Sequence, residues 1–361
     1  MIRVLVGVLG AGLVAMMLVE IFVAFLLPRR VKRDPRIVRS IFAYAWRPWR
    51  RLARRLPTQA ADTMLGVYGP FGVLLNLVLW VLTMMLGYAC LQWAGGSHLA
   101  PGHAVDFGND LYFSAATMAA SAPAGFGAQS TFARVVQVID AGSGLAVIAI
   151  VIGYLPSLYQ AFSRREATVS QLDARAGSPP SAGRLVIRST QRDGWPALNR
   201  YLSSWETWVA ELMETHLAYP VLAYFRSQHV NQNWLSAMCT VLDTCAFTIA
   251  AAPPGTVDSA RFTFAIARHA VVDLSYSFHV EPRALDLDRF PQEDFDELLR
   301  QLHEVGVEPD ASPEAIRERL ERMRSSYEPY IAALAEHLDL GLPRWLAPES
   351  PTDNWRTTGW H

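Results

Sequence analysis

Three long apolar runs dominate the pattern of hydrophobic and polar positions along the chain. They cover residues 4–27, 71–93 and 135–161, and each is long enough to cross the hydrocarbon core of a bilayer as a helix. Only Glu20 interrupts the first run, and Pro28 with a burst of arginines follows it where a signal peptide would have a small-residue cleavage site. The pattern predicts an uncleaved membrane anchor and two further transmembrane helices.

The segment between the second and third runs has a different character. Residues 110–121 are small and aromatic and predict a helix too short to span a membrane, and an irregular stretch, "APAGFGAQSTFAR", follows it. Irregular backbone at membrane depth is tolerated only where protein buries it or where it lines a water-filled cavity. The order of span, short helix, irregular loop and span therefore predicts a re-entrant loop.

The chain after the third run predicts helices separated by turn clusters. A Ser/Pro/Gly/Ala-rich stretch at 173–184 predicts a linker, and Ser312 before Pro313 predicts an N-cap with a first-turn proline. The predicted helices cover residues 194–214, 219–228, 234–251, 259–278, 291–304 and 313–340. Their apolar positions recur every three to four residues, which is enough for one all-helical domain.

The predicted fold class is thus all-α, with three transmembrane helices and a re-entrant loop ahead of a helical domain. The predicted divisions are an anchor (1–28), a basic segment (29–65), a span–loop–span module (66–165), a linker (166–184), a helical domain (185–345) and a tail (346–361).

The basic residues predict how the chain crosses the membrane. Eleven of them fall between Arg29 and Arg55, and basic residues accumulate on the cytoplasmic side. The N-terminus is then outside, residues 94–134 are external, and the helical domain is cytoplasmic. Arg164 and Arg165, after the third run, agree with this orientation. We expect a multi-pass protein of the cell membrane.

The basic segment also has helical periodicity. Its apolar positions recur at helical spacing, with arginines between them: Ile37, Ile41, Phe42, Ala45, Trp46, Trp49, Leu52 and Leu56. One interpretation is a helix in the headgroup layer, with Trp in the interface and Arg on lipid phosphate. The other is a short amphipathic helix packed on the protein's own surface.

Composition gives few indications of chemistry. The chain is 51% hydrophobic and 18% charged, and its three cysteines form no CxxC pair. It has no glycine-rich phosphate loop, no nucleophile motif and no basic nucleic-acid face, so we expect neither an enzyme nor a cofactor. His269 and Asp273, four residues apart, are one possible start of a metal site, although a helix-stabilising contact is the simpler explanation.

Residues 71–165 resemble the two-span pore module of the potassium channel family. "LYFSAAT" is similar to that family's pore helix, and Asp140, Gly142 and Gly144 occupy the places of an acidic residue and a Gly-x-Gly in the inner helix of bacterial members. The resemblance implies a homotetramer around a pore for potassium or another monovalent cation, with carbonyl oxygens as the ion ligands.

The filter-like stretch fits that family in two registers. Keeping the spacing from Ser114 to Arg134 places residues 120–125 in the filter, whereas a three-residue shift places residues 123–128 there. The second register keeps the two glycines and supplies Pro123, Ala124, Gly125, Phe126 and Gly127 as filter residues. Neither register has the family's threonine or its acidic residue after the last glycine.

The resemblance also implies roles for residues around the filter. It implies that Asp140 supports the pore helix by hydrogen bonding, with Thr117 and Ser121 as neighbours. Bending of the inner helix would fall to Gly142, Gly144, Gly153 and Pro156. The competing hypothesis is a non-conducting membrane sensor or scaffold, in which the module serves oligomerisation and the helical domain binds a partner.

Overall fold

The computed structural model describes residues 1–25, 37–99, 106–121, 125–227, 232–285 and 287–346. Within these ranges the regular structure is helical and contains no β-strand. The chain divides into two compact units, Met1–Tyr159 and Gln160–His361. Fold class is therefore all-α, as the hydrophobic periodicity predicts.

The first unit is built from five helices, of which the fifth continues into the second unit. They are α1 (Ile2–Phe25), α2 (Ile37–Ala53), α3 (Thr58–Ala94), α4 (Phe107–Met118) and α5 (Thr131–Ala176). The described residues of the three predicted runs lie in α1, α3 and α5, but α3 and α5 extend beyond the runs. Helix α3 begins before Pro70 and α5 continues through polar residues to Ala176, so hydropathy marks only the apolar part of each helix.

Helix α1 packs closely on α3 through glycines. A Cβ on Gly10 would lie 2.6 Å from the Gly87 carbonyl oxygen, and one on Gly87 would lie 2.8 Å from Val14 Cγ2. Small residues let helix backbones approach in an apolar medium, where dispersion and close packing replace the hydrophobic effect. The contact explains why α1 carries glycine at this position, whereas a Cβ on Gly12 would meet nothing within 4 Å.

Helix α2 packs its aromatic face on α3. Trp46 is buried with its ring 4.8 Å from that of Tyr68, and Trp49 donates from Nε1 to the Met64 carbonyl at 3.0 Å. The Trp49 ring also stacks on Phe71 at 5.8 Å. The tryptophans thus face the protein, as expected if α2 packs on the protein's own surface.

The second unit contains the end of α5 and six further α-helices. They are α6 (Ala182–Ala218), α7 (Trp234–Ala251), α8 (Asp258–Phe278), α9 (Gln292–Glu304), α10 (Pro313–Arg324) and α11 (Glu328–Leu338), with 3₁₀ turns at Pro220–Tyr224 and Pro254–Thr256. Ser312 caps α10 by accepting from Ala315 N at 3.3 Å, which confirms the predicted cap. The single helix predicted at 313–340 is two helices, because the chain leaves helical geometry at Tyr327.

Helix α7 is the core of this unit. In the described part of the chain, four helices are long and apolar enough to cross a membrane (α1, α3, α5 and α7). Of the residues of α7, 94% are buried, against 28–39% in the most apolar segments of the other three. Helices α6, α8, α10 and α11 surround α7 within the unit. An apolar helix covered on all sides by its own unit is typical of a protein core.

The stretch predicted as a linker is a tight, buried corner. Helix α5 ends at Ala176, and the next residue, Gly177, has a φ of +87° and donates from its backbone N to the Asp173 carbonyl at 2.8 Å. Ser181 N then donates to the Ala176 carbonyl at 3.0 Å, and Ala182 and Gly183 are buried. Composition rich in Ser, Pro and Gly is shared by linkers and by tight turns, so it did not separate the two.

Candidate functional site

Helix α4, the predicted short helix, begins at a capped and partly buried end. Asp106 accepts from Asn109 N at 3.1 Å, which satisfies one of the free N–H groups of the first turn. One turn on, the fully buried Asp110 accepts from the Ser97 hydroxyl at 2.6 Å.

Helix α4 ends in a Schellman motif. Ser121 N donates to the Ala116 carbonyl at 2.8 Å and Ala120 N donates to the Thr117 carbonyl at 3.0 Å, with Ala120 at a φ of +55°. Glycine is the usual residue at that position, because a Cβ in the left-handed region costs roughly 1–2 kcal/mol. The Ser121 side chain is exposed, whereas Thr117 is buried.

Gly144 of α5 lies against the end of α4. A Cβ at Gly144 would be 2.9 Å from Met118 Cα and closer still to the Met118 carbonyl oxygen. Those atoms are backbone, so no side-chain rotation could make room. The structure therefore gives Gly144 a packing role, and it gives Gly142 and Gly153 open space.

Asp140 is buried one helical turn before Gly144, and its carboxyl faces Ser114 of α4. Within the described ranges, Thr117 Oγ1 is buried without a hydrogen-bond partner. The next turn of α5 is tied to α3, because the Ser143 and Tyr88 hydroxyls lie 2.6 Å apart. The structure thus brings Asp140 beside α4, with Ser114 rather than Ser121 as its neighbour.

The Gly-Phe-Gly stretch is paired with the segment that follows α3. Gly127 N donates to the Leu99 carbonyl at 2.6 Å, and Gln129 N donates to the His98 carbonyl at 2.8 Å. Phe126 packs against the buried cluster that contains Leu99, and its ring meets Tyr112 of α4 edge-on at 6.0 Å. Because Ser97 donates a hydrogen bond to Asp110 of α4, the segment of residues 97–99 contacts both α4 and the loop.

Two carbonyls of the loop accept from side chains of the same chain. Gln129 Nε2 donates to the Gly127 carbonyl at 2.8 Å, and Arg134 Nε donates to the Ala128 carbonyl at 3.2 Å. Gly125 has a φ of +77°, which glycine adopts without strain. Pro123 and Ala124, also predicted as filter residues, lie outside the described residues.

Helix α5 has two opposite faces, and the residues of each face recur at alternating intervals of three and four. The face that is buried within the unit consists of Ala133, Val136, Asp140, Ser143, Gly144 and Val147. The opposite face is exposed throughout and consists of Val135, Val138, Gly142, Leu145, Ala149, Ile152, Pro156 and Tyr159. We call the latter the outer α5 face. The outer α5 face is thus an apolar stripe opposite the contacts that α5 makes within the unit.

The outer α5 face includes two of the predicted bending residues, Gly142 and Pro156. Helix α5 is continuous through Pro156, and the Ser157 hydroxyl donates to the Gly153 carbonyl at 2.9 Å. The four predicted residues therefore share one helix but not one environment, since Gly144 alone packs on α4.

In the second unit, Arg165 is buried at the point where α5 meets the 3₁₀ turn after α6. Its guanidinium donates to the carbonyls of Leu222 at 2.9 Å and Phe225 at 2.8 Å. It also lies 3.1 Å from His216 Nε2, and Glu166 accepts from its Nε at 2.9 Å. Burial and the Arg165 charge together hold the pKa of His216 well below its usual value.

A second buried charge cluster was not predicted from the sequence. Asp243 of α7 pairs with Arg289 and accepts from the Tyr327 hydroxyl at 2.6 Å. Glu328 lies 3.2 Å from Arg289 and 3.0 Å from Arg324. The residues come from distant parts of the chain, so only an acidic residue within an apolar helix, Asp243, could have signalled the cluster.

His269 and Asp273 lie on one side of α8, with Nε2 and Oδ2 3.8 Å apart. No third His, Cys, Asp or Glu joins them, and the described part of the chain holds no group of three or more that could bind a metal ion. The three cysteines are buried thiols.

Fold and hydropathy together define a class: helices long and apolar enough to cross a bilayer indicate a helical membrane protein. Beyond that class, comparison with protein-family models, curated proteins and solved structures gave no match for this chain. The particular function therefore has to be argued from the geometry of the first unit.

Proposed function

We propose that the chain is a potassium-channel-like membrane protein that assembles with fourfold symmetry and conducts monovalent cations, with potassium as the expected ion. The order of α3, α4, the 125–130 loop and α5 supports this proposal, as does the packing of the α4 end on Gly144. In this assignment α4 is the pore helix, and the loop after it lies at the ion path as a re-entrant segment.

The observation that carries the proposal is the outer α5 face. It is exposed along its whole length and is entirely apolar apart from the Tyr159 hydroxyl. The buried face of α5 already packs within its own chain, so in a bilayer the outer face meets either lipid or another copy, and we assign it to another copy. One loop per chain cannot enclose an axis, whereas four copies related by rotation would supply both the partner and a closed ring.

The proposal places the protein in the cell membrane with its N-terminus outside and the second unit in the cytoplasm. The arginines between α1 and α3, and those at the end of the α5 span, support this orientation. The second unit would gate or assemble the tetramer. Arg165 ties the end of α5 to the turn after α6, which makes it the point through which that unit would act on α5.

A second candidate function is favoured by the carbonyls of the loop. Because Gln129 and Arg134 already occupy the Gly127 and Ala128 carbonyls, these oxygens would have to exchange partners before they could bind an ion. A non-conducting sensor or scaffold would retain the same module for oligomerisation alone.

Cysteine cross-linking tests the assembly. Ala149 lies on the outer α5 face and Val147 on the buried face, two residues away. Oxidation of an Ala149→Cys variant in membranes is expected to link copies of the chain, and Val147→Cys is the matched control. Equal linking at both positions, or none at Ala149, would contradict the proposed arrangement of α5.

Potassium efflux from liposomes that contain the purified protein separates the two candidates. The channel proposal predicts efflux well above that of protein-free liposomes. Linked copies without any efflux would favour the scaffold.

A further inference from the structure

The face of α2 that points away from α3 is strongly basic. Arg47 and Arg51 are exposed on it, one helical turn apart, and the exposed Arg55 follows in the turn after the helix. Tyr44 and Leu52, with 69% and 53% of their surface exposed, lie between and beside these arginines. We call Arg47, Arg51 and Arg55 the arginine row.

The packing of α2 fixes the level of this row relative to the apolar part of α3. Trp46 and Trp49 contact α3 at Met64, Tyr68 and Phe71. The apolar run of α3 begins at residue 71, so the contacts lie where that helix would enter the hydrocarbon core. An arginine row held at that level lies among lipid headgroups.

Along the sequence, the row lies in a purely basic stretch. Seven arginines and no acidic residue occur between Pro35 and Asp62. In the described part of the chain, Arg47, Arg51 and Arg55 form no ion pair. A lipid phosphate offers the bidentate acceptor that a guanidinium prefers, whereas a zwitterionic headgroup adds a competing positive charge.

We infer that the arginine row is a binding site for the headgroups of anionic phospholipids. Trp46 and Trp49 act as anchors that hold the row in place, so the site is pre-formed by protein packing. The exposed Leu52 would contact acyl chains beside the phosphates. This inference rests on the membrane placement of α3 and does not depend on conduction.

Native mass spectrometry of the detergent-purified full-length protein, titrated with phosphatidylglycerol or phosphatidylcholine, tests the site. Each basic residue near an anionic surface contributes roughly fivefold in affinity, so Arg47→Gln/Arg51→Gln/Arg55→Gln should weaken phosphatidylglycerol binding by up to about a hundredfold. Phosphatidylcholine binding should not change. A triple variant that binds phosphatidylglycerol as the parent protein does would overturn the inference.

A second triple variant controls for the change in net charge. Arg192, Arg200 and Arg268 are exposed arginines of the second unit, and their replacement by Gln changes net charge equally. This control should bind phosphatidylglycerol normally, and a loss as large as that in the first triple variant would overturn the inference. Displacement of phosphatidylglycerol by excess inorganic phosphate would assign the row to a free anion and overturn the lipid assignment. Both variants should elute as the parent protein does on size exclusion.

Discussion

Replacing Gly144 by alanine tests the contact between α5 and the end of α4. The added Cβ would lie 2.9 Å from Met118 Cα and nearer still to its carbonyl oxygen, so one helix must shift. Overpacking of this kind costs about 1–3 kcal/mol. It outweighs the gain in helix propensity from Gly to Ala, which is about 1 kcal/mol at most.

Gly153→Ala is the matched control, because a Cβ there meets nothing within 4 Å. This variant keeps the propensity gain without the clash and should be as stable as the parent protein or slightly more so. The two substitutions are chemically identical and lie in the same helix. The helix-propensity gain is the same in both and cancels, so their stabilities are expected to differ by about 1–3 kcal/mol, with Gly144→Ala the lower.

Thermal denaturation of the purified protein in detergent, followed by loss of the monodisperse peak on size exclusion, measures the difference. A shift of roughly 2–4 °C per kcal/mol is usual for domains of 150–250 residues, so the two midpoints should lie several degrees apart. If Gly144→Ala is as stable as Gly153→Ala, the close approach of α4 and α5 is wrong.

Three further predictions concern other contacts. Gly87→Leu should separate α1 from α3 and lower thermal stability, whereas Gly12→Leu, with open space around it, should not; equal effects would contradict the packing. Asp243→Asn removes one of the two carboxylates that pair with the buried Arg289 and leaves Glu328, so chemical denaturation of the second unit should show a loss of about 1–3 kcal/mol; an unchanged stability would refute the buried pair. The fold holds the pKa of His216 well below its usual value, so only the unfolded chain protonates this imidazole as the pH falls below about 6.5. Stability should then fall by about 1.4 kcal/mol per pH unit, and His216→Gln should flatten that fall; an unchanged slope in the variant would exclude His216 as its source.

The sequence predicted the helical class and the apolar segments because hydropathy depends on local composition. It placed α7, α8 and α9 within a residue or two, since capping and turn residues mark their ends. It missed the ordered corner at 173–184, because the hydrogen bonds that define it depend on conformation.

The details of the site lay beyond sequence patterns for a different reason. Gly142, Gly144 and Gly153 are indistinguishable in the sequence, and only the position of Met118 separates them. Arg165 was predicted only as a marker of orientation. Its carbonyl partners, Leu222 and Phe225, lie more than fifty residues away and carry no side-chain signal.

Current across a planar bilayer that contains the purified protein, with potassium on one side and sodium on the other, tests the central claim most directly. The channel proposal predicts a current that reverses near the potassium equilibrium potential and is lost in Gly125→Ala, because alanine resists the positive φ at that position. A verified tetramer that carries no current across a range of voltage and pH would contradict the proposal and favour the scaffold.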